Sequence, residues 1–171
     1  MKVLCLHGYD GTPDSEKIEA IRQALDLEVI APELSACFHC DLAMLRHIIL
    51  IKKPDYIFGV SRGGALAVAL SNEPGVKKIC VLNAPMSNAY ITVSPKFPPH
   101  AFIDITEYAL KTNNALIISC MADAVVDSKS SNVLYQLCGD DNRIESVKGG
   151  HNMTLENFNK IVIPLLRGWF I

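Results

Sequence analysis

Short apolar runs alternate with longer amphipathic stretches along the chain. The apolar runs are rich in β-branched and aromatic residues and predict six strands, at 3–6, 27–30, 56–60, 78–82, 115–120 and 144–147. The remaining stretches have helical spacing and predict six helices, at 15–25, 41–51, 61–71, 103–110, 128–137 and 154–169. Strict alternation of strand and helix is typical of a parallel sheet covered by helices on both faces, so we predict a doubly wound α/β fold.

Two segments do not fit this alternation. Residues 35–40 read Ser-Ala-Cys-Phe-His-Cys, and residues 84–101 contain four prolines. A long irregular loop in a compact domain is often a lid or a binding loop, so residues 84–101 are predicted to lie beside a functional site. Polar residues mark the helix starts, since Ser15 begins the first helical stretch, directly before Glu16, and Asp41 is predicted to open the second.

Composition limits the class of protein. The chain has 171 residues, of which 50% are apolar, and this fits one globular domain over residues 1–171. The formal net charge is −2 with scattered basic residues, so we expect a small-molecule substrate and neither nucleic acid nor a membrane surface as a partner. The sequence has no signal-like start and no apolar run near the roughly 20 residues that cross a bilayer, so we expect a cytoplasmic protein.

The most informative motif is Gly-Val-Ser-Arg-Gly at residues 59–63. It follows the third predicted strand and begins an alanine-rich helix, which is the context of a nucleophile elbow. In such an elbow the serine lies at a strained corner, and flanking glycines let neighbouring backbone pass close by. Ser61 is therefore the predicted nucleophile, although a serine at this position also suits an ordinary helix N-cap.

A serine nucleophile needs a histidine base that a carboxylate orients. Asp123 follows the fifth predicted strand and His151 follows the sixth, so serine, acid and histidine come in an order that such sites use. All three would project from the carboxyl ends of parallel strands. Asp127 is a second candidate for the acid, and its position also suits the N-cap of the following helix.

Two backbone N–H groups are candidates for binding an oxyanion. Residues 7–9 read His-Gly-Tyr and form a predicted turn directly after the first strand, so the N–H of Tyr9 could point into the site. The residue after the nucleophile supplies the second donor, which here is the N–H of Arg62. The Arg62 side chain suits an ion pair on the helix or, alternatively, a contact with substrate.

Cys37 and Cys40 have the C-x-x-C spacing that supplies two zinc ligands or a redox-active dithiol. The sequence contains no second pair of this kind to complete a tetrahedral site, so we expect no metal. A redox or metal protein stays an alternative, and it predicts bound zinc or a titratable dithiol.

Three of these segments resemble the α/β-hydrolase superfamily. Residues 2–9 are similar to its first strand and the turn after it, residues 59–64 to its elbow, and residues 149–153 to its histidine loop. The likeness is to small members without a large cap, namely the fungal and animal family of serine hydrolases and small bacterial carboxylesterases and thioesterases. It implies a minimal α/β-hydrolase fold with a mainly parallel sheet of about six strands in the order 2-1-3-4-5-6, and a triad of Ser61, Asp123 and His151.

The resemblance also implies an activity. A serine hydrolase of this kind would cleave carboxylic esters or thioesters of small to medium acyl groups through an acyl-enzyme, with no cofactor. The loop at 84–101 occupies the place of the cap in larger relatives, so Met86, Tyr90 and Phe97 are predicted to contact the acyl group. Two alternatives stay open: a lyase or acyltransferase that uses the same triad, and a catalytically silent domain that binds a ligand or a partner protein. The oligomeric state is left open.

Overall fold

Six parallel strands form one sheet in the part of the chain that the structure describes. The computed structural model describes residues 1–93 and 97–171. Within them the strand order is β2-β1-β3-β4-β5-β6, and all neighbouring pairs are parallel. The predicted fold class and strand order are confirmed. The strands are β1 (Lys2–Leu6), β2 (Glu28–Ile30), β3 (Tyr56–Val60), β4 (Lys78–Leu82), β5 (Ala115–Cys120) and β6 (Arg143–Val147).

Helices cover both faces of the sheet. The C-terminal helical segment contains α6, a π-helical turn at Phe158–Val162, and α7. Together with α1 it packs on one face, whereas α2, α3, α4 and α5 pack on the other. The helices are α1 (Glu16–Ala24), α2 (Phe38–Lys52), α3 (Arg62–Ala69), α4 (Thr106–Ala109), α5 (Lys129–Leu137), α6 (Leu155–Asn157) and α7 (Ile163–Phe170).

Both faces of the central strands are buried. In β1, Val3 and Cys5 belong to the cluster under α1 and the C-terminal helices, while Leu4 and Leu6 belong to the cluster under α2 and α3. Successive side chains of a strand point to opposite faces, so a strand buried on both sides must be apolar at every position. This is why the strands read as continuous apolar runs in the sequence.

Two helices begin three residues away from their predicted starts. Helix α2 begins at Phe38 rather than residue 41, because Cys37 serves as its N-cap and its Sγ accepts the N–H of Cys40. Helix α4 is only four residues long, and the carboxylate of Asp104 accepts the N–H of Thr106 just before it. Such a local side-chain bond offers the backbone an alternative to the helix and delays its start.

The C-terminal helical segment contains Pro164 in the first turn of α7. A proline inside a helix lacks the N–H that would bond to the carbonyl four residues earlier, and its ring crowds that carbonyl. Here that carbonyl belongs to Lys160, which lies in the π-helical turn at Phe158–Val162. The wider turn lets the segment continue past the proline.

The carboxyl ends of the parallel strands place four loops at one edge of the sheet. These loops follow β1, β3, β5 and β6, and they carry the residues singled out from the sequence. The segment at 84–101 follows β4 and contains short 3₁₀ helices at Asn88–Tyr90 and Pro99–Ala101, while its residues 94–96 lie outside the described residues. Across the described ranges no helix is long and apolar enough to span a membrane.

Candidate active site

Ser61 forms the corner between β3 and α3. Its backbone has φ 52° and ψ −120°, a combination that residues with a side chain rarely adopt. Backbone hydrogen bonds hold the corner on both sides, since Ser61 donates to the Leu82 carbonyl at 2.8 Å and accepts from Gly64 at 2.8 Å and Ala65 at 3.1 Å. The structure therefore has the strained strand-to-helix corner that the motif predicts.

The two glycines of the motif are required by close backbone approach. A Cβ on Gly59 would lie 2.2 Å from the Gly63 carbonyl oxygen, and a Cβ on Gly63 would lie 2.2 Å from the Leu6 carbonyl oxygen. Any side chain at either position would separate α3 from the two strands beneath it. The glycines thus keep Ser61 beside the turn that follows β1.

Asp123 and His151 form a hydrogen-bonded pair. Nδ1 of His151 lies 2.8 Å from Oδ2 of Asp123, and the side chain of Asp123 is only 2% exposed. The other carboxylate oxygen accepts the N–H groups of Val125 at 2.7 Å and Val126 at 2.9 Å. Burial raises the pKa of Asp123, but the hydrogen bonds from His151 and the two N–H groups outweigh it and leave this pKa below its usual value.

Asp127 occupies a different position. Its carboxylate accepts the N–H of Lys129 at 2.9 Å in the first turn of α5, and its own N–H donates to the Tyr90 carbonyl at 2.8 Å. Of the two candidate acids, the structure brings Asp123 to His151.

A cavity of about 450 Å³ opens at this edge of the sheet, and both Ser61 and His151 line it. Within the described chain no hydrogen bond joins the Ser61 hydroxyl to the imidazole of His151. Catalytic hydrogen bonds are often long before substrate binds, so a shared cavity is the relevant geometry for this pair. Its size falls in the range of small-molecule sites.

The two predicted oxyanion donors make no other hydrogen bonds within the described residues. Among the residues that the structure describes, neither the N–H of Tyr9 nor that of Arg62 has an acceptor. Tyr9 also lines the cavity, and Arg62 directly follows Ser61. Of these two residues, Tyr9 lies at the cavity, whereas Arg62 is fully buried and does not line it.

The side chain of Arg62 is sealed in the protein. It is 0% exposed, and its Nη2 donates to Oδ2 of Asp41 at 2.6 Å while its Nε donates to the Ala101 carbonyl at 2.7 Å. The second oxygen of Asp41 accepts the N–H of Ser35 at 2.8 Å. The guanidinium thus joins α3 to α2 and to the loop that follows β4, and it cannot reach substrate.

Sequence reasoning expected an ion pair for Arg62 but did not identify its partner, because it assigned Asp41 to the start of a helix. The structure places Asp41 in the first turn of α2, where its side chain is turned toward Arg62. One sequence signal was available: Arg62 is the only charged residue of α3, all of whose residues are buried. A buried guanidinium requires an anionic partner.

The structure places the three predicted substrate contacts in different surroundings. Phe97 lines the cavity, where its ring packs at 4.8 Å from that of Tyr9. Met86 is 2% exposed and belongs to the core under α2 and α3, and Tyr90 packs against the same core. Neither Met86 nor Tyr90 lines the cavity. Their apolar character serves packing here, which a sequence pattern does not distinguish from ligand contact.

A cation that sequence reasoning did not single out also lines the cavity. Lys17 projects from the first turn of α1, and among the described residues no carboxylate forms an ion pair with it. Burial lowers the pKa of its ammonium group. The exposed carboxylate of Asp10 lines the same cavity without pairing with Lys17. A half-buried ammonium without a partner favours an anionic group on a ligand.

Neither a protein-family model nor a curated protein matches the chain. Solved structures do match it, at low sequence identity. An esterase domain from Rhodothermus marinus aligns with TM-score 0.77 and 15% identity over 98% of this chain and 85% of that one. A meta-cleavage product hydrolase from Pseudomonas fluorescens gives TM-score 0.80 and 18% identity over 99% and 90%. A monoacylglycerol lipase from Paleococcus ferrophilus gives TM-score 0.74 and 15% identity over 98% and 94%.

These three proteins are members of the α/β-hydrolase superfamily. This chain has the α/β-hydrolase fold, as its resemblance to that superfamily implied. At such identities the likeness defines the fold, and the chemistry must be argued from the site itself.

The ion pair between Arg62 and Asp41 leads to a stability prediction. Asp41→Ala leaves a buried guanidinium without its counter-charge, so we expect the free energy of unfolding to fall by about 3–5 kcal/mol. Urea denaturation followed by circular dichroism measures this change. As a control, Glu19→Gln removes the exposed pair with Arg22 and should leave the midpoint nearly unchanged. An Asp41→Ala midpoint equal to that of the wild type would contradict the role assigned to the pair.

Proposed function

We propose that this protein is a serine hydrolase that cleaves carboxylic esters or thioesters of small to medium acyl groups through an acyl-enzyme. The observation that carries the proposal is one combination of residues at one cavity. Ser61 lies there at a strained corner, and His151 lines the same cavity with its Nδ1 bonded to buried Asp123 at 2.8 Å. This is the combination with which a serine nucleophile carries out acyl transfer.

The roles follow from which atoms are already engaged. Nδ1 of His151 is bonded to Asp123, so Nε2 is the nitrogen left to accept the proton of the Ser61 hydroxyl. As that proton leaves, Oγ of Ser61 attacks the acyl carbonyl, and His151 becomes an imidazolium that the Asp123 carboxylate stabilises. His151 then gives the proton to the departing alkoxide or thiolate. Water, activated by the same imidazole, releases the acid from the acyl-enzyme.

Charge develops on the carbonyl oxygen during each of these steps. The N–H groups of Tyr9 and Arg62 are proposed to bind that oxygen, since both lack other acceptors among the described residues. A donor of this kind typically stabilises the transition state by about 3–4 kcal/mol. Because the Arg62 side chain is fixed by Asp41, its backbone N–H is held in one direction before substrate arrives.

The acyl group is proposed to lie against the loop at 84–101. This loop is proposed to be part of a single domain that covers residues 1–171. Val93 and Phe97 line the cavity from this loop. The loop is tied to the segment that carries Asp123, because Ile91 pairs with Val126 and the N–H of Thr92 donates to the Val125 carbonyl at 2.9 Å. A cavity of about 450 Å³ lined in this way suits small to medium acyl groups.

The first test is covalent labelling with a fluorophosphonate, read by intact mass. We expect the wild type to gain one phosphonyl group, because an activated serine attacks this reagent, and we expect Ser61→Ala and His151→Ala to stay unlabelled. Ser15 lines the same cavity without a histidine partner, so Ser15→Ala is the matched control and should label like the wild type. A folded wild-type protein that does not react would contradict the proposal and favour a silent binding domain.

A second test separates the two candidate acids. Asp123→Asn should lower kcat for a p-nitrophenyl ester by roughly 10⁴-fold, because an amide cannot hold the imidazole in the productive tautomer. Asp127→Asn is the matched change four residues away and should alter kcat less than about twofold, since asparagine also caps a helix well. Equal losses in the two variants would contradict the assignment of Asp123.

Product analysis with water and an added alcohol as competing acceptors distinguishes hydrolysis from acyl transfer.

A third test concerns the charge of the acyl group. The ammonium of Lys17 should favour an acyl chain that ends in a carboxylate, so we compare the mono-p-nitrophenyl ester of succinic acid with p-nitrophenyl butyrate. Lys17→Met should lower kcat/KM for the succinate ester about tenfold relative to the butyrate ester, which corresponds to about 1.4 kcal/mol. Lys17→Arg keeps the charge and serves as the control. An unchanged ratio in Lys17→Met would contradict this preference.

A further inference from the structure

Two thiols meet at the start of α2, outside the cavity that Ser61 lines. Cys37 is the N-cap of this 15-residue helix, and its Sγ lies 2.7 Å from Sγ of Cys40. Sγ of Cys37 also accepts the N–H of Cys40 at 3.3 Å. Cys37 is half-buried and Cys40 is exposed, and both are free thiols. The pair is thus in reach of solvent and of each other.

The surroundings of the two sulfurs make them unequal. Hydrogen bonds from the thiol and the N–H of Cys40 lower the pKa of Cys37, while the same thiol contact raises the pKa of Cys40. A helix N-terminus also favours a negative charge, and the N-cap sulfur lies at that end of α2. Cys37 is therefore suited to attack as a thiolate and Cys40 to follow as a thiol.

Of the other four cysteines, three are buried and Cys138 is half-buried. Cys5, Cys80 and Cys120 lie inside β1, β4 and β5, and burial raises the pKa of each thiol, that of Cys5 to about 12. Burial also raises the pKa of Cys138, to about 11. Thiolate chemistry near neutral pH is thereby concentrated at Cys37.

The contacts favour a dithiol over a metal site. Two sulfurs alone do not complete a zinc site, which takes four ligands. Across residues 1–93 and 97–171, no group of three or more potential ligands is placed to hold a metal ion. His39 lies between the two cysteines in the sequence. Its ring packs edge-on against that of Phe38, with 6.4 Å between the ring centres.

We propose that Cys37 and Cys40 form a thiol–disulfide exchange site that reacts with small exposed disulfides. The Cys37 thiolate attacks one sulfur of the disulfide, which forms a mixed disulfide at Cys37 and expels the other sulfur as a thiolate. The Cys40 thiol then gives its proton to solvent and attacks Sγ of Cys37, which releases the second thiolate. The protein dithiol loses two electrons and becomes an internal disulfide, and the small disulfide gains them and becomes two thiols.

The test uses oxidised glutathione with the whole chain at neutral pH, read by intact mass over time. The wild type should lose two hydrogens and retain no glutathione. Cys40→Ser should stop at the mixed disulfide and retain one glutathionyl group. Cys37→Ser should react at least about tenfold more slowly, because the activated sulfur is gone. Serine is a good N-cap, so this variant keeps the start of α2 and folding is checked by circular dichroism.

Cys138→Ser is the control and should behave as the wild type. Equal rates for Cys37→Ser and Cys40→Ser would overturn the proposal, as would a wild type that keeps its glutathionyl group. Tight zinc binding by the reduced protein, lost in both single variants, would also overturn it in favour of a metal site. None of these outcomes depends on esterase activity, so they leave the proposed function untouched.

Discussion

Close packing of α3 against β1 and β3 is the constraint on which the candidate site depends. A Cβ at Gly59 or at Gly63 would come within 2.2 Å of a backbone oxygen, so the chain must turn from strand to helix without spare room. Ser61 forms that turn, and its backbone φ is 52°. A strained backbone of this kind costs about 1–3 kcal/mol and persists only where the surroundings fix it. Here those surroundings are the bond from Ser61 to Leu82 and the fully buried helix that follows.

Two buried carboxylates have different roles at this edge of the sheet. Asp41 neutralises a guanidinium that is 0% exposed, so that pair is fixed and serves structure. Asp123 is equally buried, but its partner His151 is 15% exposed and reaches the cavity. A proton can therefore pass to and from the imidazole without opening the core. The first pair positions the backbone beside Ser61, and the second is suited to move the proton that the proposed chemistry requires.

Most of the fold could be predicted because it follows from local patterns. Strands buried on both faces read as apolar runs, and parallel order places the segments around Ser61, Asp123 and His151 at one edge of the sheet. The confirmed strand order came from the resemblance of three short motifs to the α/β-hydrolase superfamily.

Other features could not be predicted because they depend on contacts between distant segments. The partner of Arg62 lies 21 residues away on another helix, and no local pattern links the two. Cys37 is not a residue that usually caps a helix, so the start of α2 was placed too late. Met86 is apolar and lies in the predicted lid loop, yet it is buried in the core. Lys17 reads as an ordinary helix residue, and only the folded chain reveals that it lines the cavity and has no carboxylate partner among the described residues.

We propose that the corner at Ser61 presents an activated hydroxyl to the cavity and that the N–H groups of Tyr9 and Arg62 bind the developing oxyanion. A crystal structure of the phosphonyl adduct tests this most directly. We expect a bond from Oγ of Ser61 to phosphorus, with the phosphonyl oxygen about 2.7–3.1 Å from the backbone nitrogens of Tyr9 and Arg62. An adduct on another residue, or a phosphonyl oxygen that points away from both nitrogens, would contradict it.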